Sequence, residues 1–507
     1  MEPHDRLDPG RNARAEAARG TDEDDERGQD RAARRLSRLG PLAGRDQPGL
    51  LGPQERDRAV QQATPGPLDG QARRLDAFRH RRGTDPGVQA RIRAGGRSLR
   101  PRLPLRSGLR RPEMSTVNPG MDAEIFDQFI EQLRRYVRER LIPAEDEVIA
   151  QDRIPDDILA EMREMGLFGI TIPEEFGGAG MNISQYIETV KQLSYASPAF
   201  RSTISINIGM TGSAIKNFGT PEQKAEWLPR IASGEIACFG LTEPGSGSDS
   251  AAMQTMAVRD GNGYRLNGTK RYITNSPSAK IGLIMARTSK EALPRNAHVS
   301  AFIVDMTAPG ISIGKPDKKM GQSGAQIADV IMEDVHVPGS ALVGGEEGRG
   351  FQIAMQSLDN GRLSVAGMGV GMGRRALDTA IRYATERKAF GEAIANFQLI
   401  QAMLADSEAE LYAAECMIAD ACARADRGES VQRKAAAAKL FSSEACGRVV
   451  DRCVQVYGGA GYLAEYPAER FFRDARILRI YEGTSQIMQL QIAKHLLREF
   501  ASEGSVW

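Results

Sequence analysis

The sequence predicts an α+β chain in which a helical segment leads into a small central antiparallel β domain and then into a bundle of long helices. Three observations carry this. Ile125, Phe129, Leu133 and Val137 recur every four residues, the spacing of one apolar helix face. Near Glu235 the texture changes to short segments rich in β-branched and aromatic residues, separated by turn dipeptides. From Gly350 onward helical patterns return, each far longer than a strand. The βαβ alternation of a dinucleotide-binding sheet is absent.

An arm precedes these elements. The 507 residues carry a formal net charge of +1, which averages two unlike parts. Residues 1–113 hold 25 Arg, no Lys and 17 acidic residues, and so sit near +8, leaving the rest near −7. Phe78 is their single aromatic residue. Such a stretch lacks the apolar surface to offset its ordering entropy, and disorder is expected. Acidic residues such as Asp22 to Glu26 dilute any field that would draw nucleic acid, and they are foreign to a transit peptide. The arm reads as an extension upstream of a natural start at Met114.

In the helical segment, residues 114–234, Pro143 interrupts the first pattern. A second helix is expected after Ile154 and Pro155, capped by Asp156 and stopped by Gly166. Beyond a glycine-rich turn at 174–180, residues 184–197 and 203–218 read as helices. The β domain, 235–345, is expected to hold strands at 237–241, 255–259, 264–266, 281–287, 299–305 and 330–337, with hairpin turns at Asn262-Gly263 and Asn267-Gly268. Helices at 351–387, 398–427, 431–456 and 484–500 fill the C-terminal bundle, 346–507.

Cys238, Cys416, Cys422, Cys446 and Cys453 form no CxxC pair and have no ligand-like His nearby, so they read as buried apolar fillers and no metal site is expected. No apolar run approaches the ~20 residues of a membrane span. The expectation is a cytoplasmic protein with no membrane insertion and no nucleic-acid partner.

Glycines from Gly367 to Gly373 imitate a dinucleotide fingerprint, but the spacing is wrong and no strand precedes them. They read instead as close-packing positions inside a helix. The loop LTEPGSGSD (241–249) offers the hydroxyls of Thr242, Ser246 and Ser248 beside amides freed by Gly245 and Gly247. That chemistry suits phosphate or a heteroaromatic edge, and equally a polar loop capping a sheet.

This loop, YITN (272–275), LDNGR (358–362), ATERKAFG (384–391), QVYGGAG (455–461) and YEGTSQ (481–486) together resemble the acyl-CoA dehydrogenase family. They stand in family order, and the likeness spans residues 122–497. It implies non-covalent FAD, with Phe239, Gly240, Leu241, Thr242, Gly245, Ser246, Gly247, Ser248, Tyr272, Ile273 and Thr274 lining the flavin ring. It implies that Arg387 and Gln398 meet the diphosphate of a neighbouring subunit's cofactor, which requires an oligomer, in this family mostly a tetramer. Gln455, Val456, Tyr457, Gly458 and Gly459 would run along the cofactor, and Thr484, Ser485 and Gln486 would contact its adenylate half.

The resemblance makes Glu482 the base that takes the α-proton of an acyl-CoA, giving the trans-2-enoyl-CoA, with electrons passing to electron-transfer flavoprotein. Some branches of the family carry the base just before the Arg of the LDxxR-type run; here that position is Gly361. Ser248, Asp359, Arg362, Tyr481 and Gly483 would contact substrate. Arg201, with Ser205, resembles the pair that holds a distal carboxylate in the glutaryl-CoA branch. Plainer roles stay open beside these: Glu482 as an acid at a helix N-terminus, Asp359 with Arg362 as a helix-surface pair, Arg387 paired with Glu386, and Arg201 paired with Glu188. An acyl-CoA oxidase, a dicarboxylyl-CoA dehydrogenase and a non-catalytic acyl-CoA-binding protein are the rival functions.

Overall fold

Asp122 opens the first helix, α1 (Ala123–Tyr136), by accepting hydrogen bonds from the N–H groups of Glu124 and Ile125. The computed structural model describes residues 118–505; the arm and the start at Met114 lie outside them. A π turn, Val137–Leu141, extends α1 and keeps Val137 and Leu141 buried. Then follow α2 (Glu145–Gln151) and α3 (Asp156–Glu164). Asp156 is the first residue of α3, not its cap, and its carboxylate takes Arg153 at 3.1 Å instead. Gly166 does end the turn after α3, at φ +69°.

Reciprocal capping boxes start α4 (Ile183–Leu193), from Asn182 and Gln185, and α7 (Pro221–Ala232), from Thr220 and Gln223. Between them lie α5 (Pro198–Ser205), a π turn at Ile206–Gly212, and α6 (Ser213–Phe218). Helix α7 was not expected, although Thr220 and Gln223 display the box in the sequence.

The sheet contains β1 (Ala237–Gly240), β2 (Met256–Asp260), β3 (Gly263–Thr274), β4 (Ile281–Arg287), β5 (Val299–Asp305), β6 (Ile311–Ile313) and β7 (Ile327–Pro338). Its order is β1-β4-β2-β3-β7-β6, with β5 on β4. The β2–β3, β3–β7, β4–β5 and β6–β7 pairings are antiparallel, as expected; β1 and β2 depart from this and run parallel to β4. The β2–β3 hairpin turns at Gly261 and Asn262. Asn267-Gly268 makes no turn: β3 continues through it along β7, and a register shift between Leu266 and Gly268 absorbs the irregularity. Pairing with a strand some 60 residues later overrides the local turn preference there.

The C-terminal bundle consists of α8 (Gly350–Glu386), a short hairpin of β8 (Lys388–Ala389) and β9 (Glu392–Ala393), then α9 (Gln398–Asp426), α10 (Gln432–Tyr457), α11 (Pro467–Ala475) and α12 (Ser485–Glu503). The glycine run lies inside α8. A Cβ built on Gly369 would sit 2.7 Å from Ser442 Oγ of α10, and one on Gly371 2.3 Å from the Lys191 carbonyl of α4. These glycines therefore serve helix–helix contact. At the end of α9, the Asp426 carboxylate accepts the N–H groups of Ile183 and Ser184 at 2.7 and 3.1 Å, tying the bundle to the N-terminal helices. Four cysteines are buried as expected, whereas Cys416 is exposed; all are free thiols. Among the described residues no helix is long and apolar enough to cross a membrane.

Candidate active site

The connection from α11 to α12 reverses sharply. Glu482 and Gly483 both take positive φ, 53° and 95°. Glycine tolerates this; a glutamate there is uncommon and signals a constraint on where its side chain points. Thr484 then caps α12, accepting from the Ile487 N–H at 3.2 Å. The turn drives the Glu482 carboxylate against α8 at Gly361, where a Cβ would lie 2.1 Å from Oε2 and 2.8 Å from Cδ. Only glycine leaves that room. Oε2 is buried and has no hydrogen-bond partner. Burial raises the Glu482 pKa, opposed in order by Arg201, Lys439 and Arg362.

Around this carboxylate the chain gathers several groups. Tyr481 donates to the Met368 sulfur at 3.3 Å, and burial pushes its phenol up to about 12. Lys439 of α10, fully buried, donates to the Gly483 carbonyl at 2.6 Å. Arg201 of α5 is 3% exposed and gives Nη2 to Ser364 Oγ at 2.5 Å; its Nε has no partner. Tyr186 and Ser205 reach the same Ser364 hydroxyl at 3.1 and 3.3 Å. Arg201 does not pair with Glu188, whose carboxylate takes Lys191 at 2.8 Å. Arg362 and Asp359 pair with each other at 2.5 Å, both largely buried, so the pair is not a surface one. Burial raises the Asp359 carboxyl above its usual range even beside Arg362.

On the sheet side, β1 leads through Phe239, Gly240 and Leu241 into the polar loop. Glu243, buried, ties this loop down by accepting from Lys270 Nζ at 2.7 Å and the Gln254 and Thr255 N–H groups at 2.5 and 3.0 Å. The Arg271 N–H donates to the Thr242 carbonyl at 2.8 Å, setting 272–274 beside the loop. Tyr272, at φ 60°, is exposed and carries Arg271 over its ring, while Ile273 is buried. The loop has spare valence. Ser246 Oγ is buried without a partner. A Cβ built on Gly245 or Gly247 meets nothing within 4 Å, and both have ordinary φ. Neither intrachain packing nor backbone strain asks for glycine here, and the open backbone leaves room for a ligand to approach.

The remaining candidates stand apart. Arg387 ends α8 and Gln398 begins α9, both exposed, joined by the β8–β9 hairpin. Arg387 forms no ion pair within the described residues, with Glu386 or otherwise. Phe390, 97% exposed, and Leu399 flank them. Gln455, Val456 and Tyr457 close α10, Tyr457 stacked on Tyr383 at 3.9 Å. Gly458 and Gly459 follow in open space. No hydrogen bond or ion pair joins this group to the polar loop within the described residues. Of the last motif, Thr484 is spent as a cap, Ser485 donates to Glu444 at 2.6 Å, and Gln486 is exposed. Ser248 is also exposed.

Ser364, Lys439 and the Glu243–Lys270 pair were not picked out from the sequence. Ser364 lies three residues after Gly361 on the same face of α8, a spacing that was visible. Lys439 interrupts the small-residue face formed by Ala435, Ala436, Ser442 and Ser443, which was also visible.

A mostly antiparallel sheet flanked by helices, offering an open glycine-rich loop on one side and a water-shielded carboxylate on the other, is the plan of a flavin-dependent dehydrogenase. Comparison with known proteins makes this specific. Family models for the N-terminal, middle and C-terminal domains of acyl-CoA dehydrogenase match residues 124–235, 238–335 and 348–497. The chain is 38% identical over 380 residues to human mitochondrial short-chain specific acyl-CoA dehydrogenase, covering 75% of this chain and 92% of that one. It is 40% identical over 376 residues to subunit CarC of the caffeyl-CoA reductase–Etf complex of Acetobacterium woodii, covering 74% and 98%. A glutaryl-CoA dehydrogenase solved with glutaryl-CoA superposes with a TM-score of 0.71 at 30% identity, covering 75% of this chain and 96% of the other. The chain belongs to the acyl-CoA dehydrogenase family, FAD-dependent oxidoreductases.

Proposed function

We propose that this chain oxidises a short acyl-CoA thioester to its trans-2-enoyl-CoA, with Glu482 as the base that takes the α-proton. The observation that carries this is the half-buried Glu482, whose Oε2 is buried and unpartnered in a gap that exists only because residue 361 is glycine. An α C–H of a thioester is a weak acid, so its base must be kept from water and aimed; burial does the first and the left-handed turn the second. FAD, when bound, supplies the acceptor for the β-hydride.

The residues that would hold it are those with unspent valence. Thr242, Thr274 and Ser246 offer hydroxyls to the ring edge, and the backbone at Gly245, Gly247, Gly458 and Gly459 is open to it. Arg387 and Gln398 would serve a cofactor in a second copy of the chain, and the exposed Phe390 and Leu399 beside them support a homo-oligomer, with a tetramer as its form. Asp359 and Arg362, close to Gly361 on α8, would face the CoA portion. Electron-transfer flavoprotein as acceptor rests on the Etf complex to which the relative CarC belongs.

Glu482→Gln decides the reading. The variant should keep FAD and bind butyryl-CoA, yet reduce its flavin ~10²–10⁴-fold more slowly. Reduction at the wild-type rate would place the base elsewhere. With oxygen or the flavoprotein as alternative acceptors, the same assay separates a dehydrogenase from an oxidase, and absence of any bleaching identifies a mere binder.

One observation favours a second reading, a dicarboxylyl substrate. Arg201 is a buried cation whose contacts are neutral, and such a charge is costly unless an anion answers it. A distal carboxylate on the acyl chain would do so. Arg201→Met should then lose turnover of glutaryl-CoA selectively and keep or gain butyryl-CoA. Equal glutaryl-CoA activity in both proteins, or none in either, removes the idea.

A further inference from the structure

Among the described residues, Lys439 is the one buried cation near the catalytic turn with neither an acid within ion-pair distance nor a task in the mechanism above. It lies on α10 among Ala435, Ala436, Ala438, Ser442 and Ser443, all buried, where an alanine or methionine would pack without the expense of desolvating an ammonium. Its single hydrogen bond, 2.6 Å long, goes to the carbonyl of Gly483, the residue after Glu482. That carbonyl faces α10 because Glu482 and Gly483 are both left-handed. The bond therefore fixes the backbone reversal on which the aim of Glu482 depends.

We propose that Lys439 is a positioning residue for proton abstraction: its ammonium holds the Gly483 carbonyl, and with it the Glu482 turn, while its charge sets the pH at which Glu482 becomes an anion. This rests on the reading of Glu482 as the base. Three cations face Glu482: Arg201 from α5, Arg362 from α8 and Lys439 from α10, with the Tyr481 phenol as its chain neighbour. Arg362 is committed to Asp359, and Arg201 donates to Ser364. Facing Lys439 are Glu482, Arg362 and Glu444. Burial lowers Lys439 to about 8, against the pull of Glu482. A protonated Lys439 favours the Glu482 anion and so lowers the pH needed to form it. Removing the charge moves that pH upward.

The test uses the FAD-loaded protein and three variants. Lys439→Gln is uncharged but keeps an amide donor for Gly483, Lys439→Met has neither, and Lys439→Arg keeps the charge. Bound flavin and melting temperature are recorded first, so that Gln decides if Met fails to retain FAD. The rate of anaerobic flavin reduction by butyryl-CoA is then followed against pH. The acid limb should move up by about one pH unit in the Gln and Met variants, which is about tenfold in rate below the limb. The Arg variant should keep the wild-type limb, and Met should lose a further part of its plateau rate with the turn unanchored. Gln and Met limbs that superpose on the wild type, or an Arg limb displaced as far as Met, would overturn the proposal. Glu482→Gln in the same assay separates the two claims. If it is inactive while the limbs stay put, only the Lys439 inference falls. If it reduces flavin normally, the base assignment falls first.

Discussion

Replacing Gly361 with alanine tests the geometry of the site at its narrowest point. The added Cβ would stand 2.1, 2.8 and 3.2 Å from Oε2, Cδ and Oε1 of Glu482. Ordinary van der Waals separation requires the carboxylate to retreat by on the order of 1 Å. It cannot do so by freeing the backbone, because residue 482 is held in a left-handed turn whose next carbonyl is bonded to Lys439. The carboxylate must therefore rotate away from its resting place. A displacement of about 1 Å of a reacting group costs ~10²-fold in rate, and that is the expected loss in flavin reduction by butyryl-CoA. Stability should barely follow. Alanine gains about 1 kcal/mol over glycine within a helix, and the clash takes back a similar amount. Single-turnover absorbance under anaerobic conditions reads the rate, and bound flavin with a thermal melt reads the fold. A Gly361→Ala protein that retains FAD and reduces it at the wild-type rate would refute the placement of Glu482 as the working carboxylate.

Glu482→Gln should also change stability with a definite sign. Burial raises the Glu482 pKa, so above the ordinary carboxylate range the folded chain holds a proton that the unfolded chain releases, and this residue's contribution falls as pH rises. The Gln variant should gain on wild type in melting temperature as pH rises above the ordinary carboxylate value of about 4; parallel melting curves would contradict this. Arg387→Ala should weaken FAD retention and lower the assembled mass together, read by bound flavin and light scattering, since this exposed cation has no acidic partner among the described residues. Unchanged flavin content and mass would remove its role toward a second copy.

Much of the architecture was legible because it is written in periods: three of the four long helices of the bundle and four of the six expected strands sit within a residue of their expected bounds, and α12 runs three residues past its expected end. What failed was local chemistry overruled at long range. Asn267-Gly268 was read as a turn and lies inside β3, because β7 pairs through it. Asp156 was read as a cap and is drawn to Arg153. The site divides in the same way. The motifs singled out Glu482 and marked Gly361 only as the place where some branches carry the base; that the two meet is seen first in the folded chain. Motif order gave no hint that Ser364 would collect Arg201, Tyr186 and Ser205, because those partners come from α4 and α5 and meet α8 only in the folded chain. Lys439 was hidden by composition: in an alanine-rich stretch a lysine looks like a solubilising surface residue until its face of the helix is drawn.

The glycines of α8 have a mechanical consequence for the gap at Gly361, six residues before Gly367, into which the Glu482 carboxylate fits. At Gly367 and Gly371 the helix lies directly on α4, at Gly369 on α10, and at Gly373 on a leucine of α9. On the α8 side these contacts are made through backbone, which has no side-chain torsion to turn, and at Gly371 the neighbour is backbone too, the Lys191 carbonyl. Three neighbouring helices thus act as stops that prevent α8 from sliding or rolling, and Gly361 is carried on the same rod. The clearance opposite Glu482 is consequently a machined tolerance, set by the bundle far more than by the turn alone. Drift of even a fraction of an ångström along α8 would close or widen it, and the molecule has removed the compliance through which such drift would enter.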